Sequence, residues 1–89
     1  MKIALDYDGT YTEDPGLWYN FIKLALRRGH QVFCVTMRHG TEELELPFGI
    51  EVIFTRSQAK EEFCRKLGHE FDLWIDDQPY LILNDPPTL

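Results

Sequence analysis

Two apolar, β-rich runs, Lys2–Tyr7 (KIALDY) and Gln31–Thr36 (QVFCVT), flank a single amphipathic stretch, and that alternation leaves few folds open. Between them Leu17, Trp18, Phe21, Ile22, Leu24 and Ala25 recur at the three- and four-residue spacing of a helix. Asp14-Pro15 starts this helix, with Asp as N-cap and Pro at the first helical position. Gly29 after Arg27-Arg28 stops it, with cations at the helix's negative end. A strand apolar along nearly its whole length is one buried on both faces, as in a parallel sheet covered by helices.

The second half continues the alternation. Ile50–Phe54 reads as a third strand, Ser57 caps a second helix with Lys60 and Glu61 in its first turns, and Gly68 ends it. Phe71–Ile75 (FDLWI) is a fourth strand, stopped by Asp76-Asp77-Gln78-Pro79. The polar connection Met37–Pro47 holds a helical turn at Thr41–Leu46, and Tyr80–Leu83 adds a short strand before an irregular tail over residues 84–89. The expected fold is α/β: a three-layer sandwich, its short parallel sheet carrying helices on both faces, as one domain over residues 1–89.

Composition narrows the function. Apolar residues at 44% and charged residues at 27% belong to an ordinary globular chain rather than a disordered one. A net charge of −6 argues against a general nucleic-acid-binding surface. No run approaches the ~20 apolar residues of a membrane span, and MKIALDYD lacks the apolar core of a signal peptide, so a cytoplasmic protein is expected. Cys34 and Cys64 read as small buried hydrophobes in a reducing compartment.

The chemistry concentrates at strand ends. Asp6 and Asp8 close the first strand, Thr36 ends the second, and Asp76-Asp77 follow the fourth. Lys60 stands near the start of the helix before that strand. In open parallel sheets ligands sit beyond the carboxyl ends of the strands, where strand order reverses, so these groups share an address. Carboxylates gathered there oppose one another's ionisation, and a hard divalent cation resolves the conflict. An all-oxygen ligand set suits Mg²⁺ better than zinc.

Four stretches in this order, DYDGT (Asp6–Thr10), VFCVT (Val32–Thr36), Lys60 and WIDDQP (Trp74–Pro79), resemble the four motifs of the haloacid dehalogenase superfamily, over about residues 1–80. The resemblance implies a Rossmann-like phosphatase. In such proteins the aspartate matching Asp6 attacks phosphorus and forms an aspartyl-phosphate. The one matching Asp8 protonates the leaving group, later activates water, and gives its backbone carbonyl to the metal. Gly9 permits the turn and offers backbone N–H groups to phosphate oxygens, Thr36 donates hydrogen bonds to the phosphoryl group, and Lys60 offsets the charge gathering there. The DDQP ending is similar to that of polynucleotide phosphatases and RNA polymerase tail phosphatases, whose second position ligates Mg²⁺. That match places Asp77 on the metal and Asp76 beside it, while the sequence alone leaves open which of the two is the direct ligand; Asp6, Asp8, Asp76 and Asp77 together form the implied metal site.

Plainer readings stand beside these. DYDGT is also a strand end with a common turn, Thr36 a β-former at a strand terminus, and Lys60 a solvated helix lysine near Glu61 and Glu62. Asp76-Asp77 before Gln-Pro also fits a turn, and Arg38 is equally a phosphate contact or a surface arginine. A phosphoacceptor receiver domain is demoted, because Ile50–Phe54 runs into Thr55-Arg56 where a receiver carries its phosphorylated aspartate. Neither the interval after Thr10 nor the one before the last motif has room for a cap domain, so a capless member is expected. A bare site calls for a bulky phosphorylated substrate or a second copy of the chain near Tyr11–Trp18 to cover it. A catalytically weak descendant that binds a phosphorylated ligand or a protein is the alternative to a hydrolase.

Overall fold

In the computed structural model, which describes residues 1–40 and 43–87, four parallel strands form one sheet in the order β3-β2-β1-β4. The strands are β1 (Lys2–Leu5), β2 (Gln31–Thr36), β3 (Glu51–Phe54) and β4 (Leu73–Ile75). Among the described residues three α-helices connect or follow them: α1 (Pro15–Arg27), α2 (Lys60–Lys66) and the single turn α3 (Tyr80–Leu83). None is long and apolar enough to cross a membrane.

Alternation along the central strands makes a core on each face. Ile3 and Leu5 of β1 and Val32 of β2 pack with Ile22 and Ala25 of α1, while Trp18, Phe21 and Ile75 close around them. Ala4, Val35 and Ile53 point the other way onto Cys64 of α2, with Phe33, Phe63, Phe71 and Trp74 around them. The expected sandwich of sheet between helices is therefore present. Both cysteines are fully buried free thiols, and burial pushes the Cys34 thiol up to about 12.

α1 forms where the sequence placed it. The Asp14 carboxylate accepts the Leu17 N–H at 3.1 Å, Pro15 opens the first turn, and Gly29 leaves the helix at φ +86°. Three local expectations need correction. Ser57 does not cap α2: Arg56 and Ser57 both take left-handed backbone, φ +54° and +61°, and Ala59 is the N-cap. The Ala59 N–H instead donates to the Asp85 carboxylate of the tail at 2.7 Å. Tyr80–Leu83 is a helical turn and not a strand, because Pro79 is held near φ −61° and lets the chain fold back onto α2. The helical turn between β2 and β3 is a 3₁₀ turn at Pro47–Gly49; residues 43–46 are irregular, and 41–42 lie outside the described residues.

The sheet order fixes the site. From β1 the chain moves outward through β2 to β3, then returns to the other side of β1 as β4. The switch point therefore lies between β1 and β4, whose ends carry Asp6 and Asp76-Asp77.

Candidate functional site

β1 stops at Leu5, and Asp6 to Thr10 turn over the end of the sheet. The Asp6 N–H donates to the Ile75 carbonyl at 2.9 Å, tying the turn to the end of β4. Lys60, the first residue of α2, reaches into the same space. Its ammonium donates to Asp6 Oδ1 at 2.7 Å and to Asp76 Oδ2 at 2.6 Å, with only 4% of its side chain exposed. A buried ammonium is tolerable only when paired, and its two carboxylates keep it charged, raising its pKa despite burial.

Asp77 completes the cluster. One carboxylate oxygen each from Asp6, Asp76 and Asp77 lies within 4.8 Å of the others. Burial is the main cause that pushes the Asp6 carboxyl up to about 6; Lys60 pulls it back, and the neighbouring Asp77 carboxylate pushes it further. Three carboxylates against one ammonium leave two negative charges uncompensated, so the residues fit a divalent cation with oxygen ligands. The two C-terminal aspartates divide the work. Asp76 spends one oxygen on Lys60 and the other on the Gln78 N–H at 2.9 Å. Asp77 is more exposed; it accepts the Thr10 hydroxyl at 3.3 Å and lies against the Asp6 carboxyl.

Gly9 makes the closeness possible. It sits at φ +84°, and a Cβ there would overlap the Asp77 carboxylate. Its N–H, expected to face a phosphate, is instead committed to Thr12 Oγ1 at 3.0 Å, because the turn folds back on itself. Thr36 ends β2 fully buried and lines the cavity with Asp6 and Lys60; its hydroxyl oxygen accepts the Arg38 N–H at 3.3 Å.

Asp8 stands apart from the carboxylate cluster. Arg38 grips its two oxygens through Nε and Nη2, each at 2.8 Å, and holds its carboxyl below the usual range. The Asp8 side chain therefore lies outside the Asp6–Asp76–Asp77 carboxylate cluster, and the metal contact expected of Asp8 is through its backbone carbonyl. The resulting cavity of about 260 Å³ opens between this ion pair and the Asp6–Lys60 pair.

Three contributors escaped sequence reading. Thr10 is buried, its hydroxyl lies 3.2 Å from Asp6 Oδ2, and it accepts the Asp77 N–H at 3.2 Å. Its place in DYDGT was the available signal. Asp85 and the bidentate role of Arg38 had none, since their partners are distant in sequence. Comparisons with protein-family models, curated proteins and solved structures return no match.

Proposed function

We propose that this chain is a Mg²⁺-dependent phosphomonoester hydrolase that works through an aspartyl-phosphate on Asp6. The observation that carries the reading is the position of Asp6. A buried carboxylate at the switch point shares Lys60 with Asp76 and faces Asp77 across a gap that suits a cation. Asp6 and Asp77 would hold Mg²⁺ there, and the ion would supply charge neutralisation for the phosphoryl oxygens.

In the first step an Asp6 carboxylate oxygen attacks phosphorus, a P–O bond to Asp6 forms, and the ester P–O bond breaks. Lys60 stays on Asp6 and offsets charge there, and Thr36 donates to a phosphoryl oxygen. Asp8, two residues on and ionised while Arg38 holds it, takes up a proton from solvent once that pair opens and gives it to the departing oxygen. In the second step Asp8 takes a proton from water as that water attacks phosphorus, and the Asp6–phosphorus bond breaks. The site is open to solvent, which favours substrates bulky enough to cover it, such as a phosphopeptide or a 3′-phosphorylated oligonucleotide.

The expected outcome is turnover of an aryl phosphate that stops on chelation and is abolished by Asp6→Asn with the fold intact. A phosphopeptide or oligonucleotide should be cleaved faster than a sugar phosphate. Turnover that ignores both chelator and Asp6→Asn contradicts the reading. The competing reading, a site that binds phosphate without turning it over, draws on the Arg38 fork that holds the proton carrier outside the cluster. The same assay decides between them.

A further inference from the structure

The charges lining the cavity are unequal: Asp6, Asp8, Asp76 and Asp77 against Arg38 and Lys60. Lys60 is buried and already serves two carboxylates. A phosphate-bearing ligand entering this acidic cavity therefore needs the other cation, and at rest that cation grips Asp8. We propose that Arg38 is an exchange residue: it holds Asp8 when the cavity is empty and transfers its guanidinium fork to the anionic oxygens of an arriving phosphate, releasing Asp8. The inference rests on reading this cavity as a phosphate site, but not on turnover.

Three observations support the exchange. The resting pair is weakly held, with 36% of the Arg38 side chain and 53% of the Asp8 side chain exposed, and exposed ion pairs contribute little. The geometry is transferable, because a guanidinium edge that fits two carboxylate oxygens also fits two phosphate oxygens. The base of the arm is fixed at the site, where the Arg38 backbone N–H is held by Thr36 Oγ1, while the guanidinium head lies 5.2 Å from the centre of the Tyr7 ring.

This makes Asp8 a competitor of the ligand. Its removal should tighten phosphate binding, and only while Arg38 is present. The test is titration of inorganic phosphate, with Mg²⁺ present, into the full chain and its Asp8→Asn, Arg38→Ala and doubly substituted forms, followed by calorimetry. Asp8→Asn should tighten binding by about three- to fivefold, the scale of an exposed ion pair. Arg38→Ala should weaken it about tenfold or more. In the double variant the gain from Asp8→Asn should vanish. Glu13→Gln, which removes one charge from an exposed position outside this cavity, should change affinity less than twofold.

An equal gain from Asp8→Asn with and without Arg38, no gain at all, or no phosphate binding by any form overturns the exchange. Aryl phosphate turnover measured on the same samples separates the two readings. Turnover without the Arg38-dependent gain refutes the exchange alone, whereas the gain without turnover refutes the hydrolase alone.

Discussion

Asp6 sits where function and stability pull against each other. Its ordinary value is 3.8 and its folded value about 6, so the native state holds a proton that the unfolded chain has already released. Stability conferred by that proton is full below the unfolded value and is lost as pH rises between about 4 and 6. The loss amounts to roughly 2–3 kcal/mol for this group alone. Asp8 acts in the opposite sense but in a different window, since its lowered value adds stability that disappears only as pH falls below the ordinary range. The metal-free protein should therefore melt at lower temperature at pH 7 than at pH 4.5. Asp6→Asn should flatten that slope, and Mg²⁺ should restore the melting temperature at pH 7 far more than at pH 4.5. Thermal scans across pH check all three, and a slope unchanged by Asp6→Asn removes Asp6 as its source.

At the scale of elements, α2 depends on a segment beyond the last strand. Its N-cap is Ala59, which has no side-chain acceptor of its own, and Asp85 supplies one at 2.7 Å. Asp85→Ala should cost about 1 kcal/mol, the usual worth of a lost cap. For a domain of this size that lowers the melting temperature by about 4–8 °C, whereas Asp85→Asn should retain most of it. Differential scanning calorimetry of the two variants tests this. The sequence marked α1 fully, because Asp14, Pro15 and Gly29 act within their own neighbourhood. That Asp6, Thr36, Asp76 and Asp77 meet Lys60 at one end of the sheet was also legible, because the alternation of elements brings those strand ends and the start of α2 together. The start of α2 was misplaced because Arg56 and Ser57 are held left-handed by tertiary bonds: Thr55 N–H to the Thr36 carbonyl, and Ser57 N–H to the Met37 carbonyl. The Asp8–Arg38 fork spans thirty residues of sequence, and no local pattern announces it.

Across the whole molecule, the acidic cluster straddles two strands of unequal security. β1 lies inside the sheet between β2 and β4, while β4 is three residues long, paired on one side only and partly exposed. Such an edge is the part of the fold that opens most readily. A cation held jointly by Asp6 and Asp77 would act as a clasp on that edge. Mg²⁺ should slow amide hydrogen exchange over Leu73–Ile75 while leaving β2 unchanged; equal slowing in both strands, or none, counts against it. Part of such a cation's binding energy would be consumed in closing the edge, so metal affinity would report the stiffness of β4 as well as its ligands. Any substitution that anchors β4 more firmly should raise metal affinity without touching a single ligand atom.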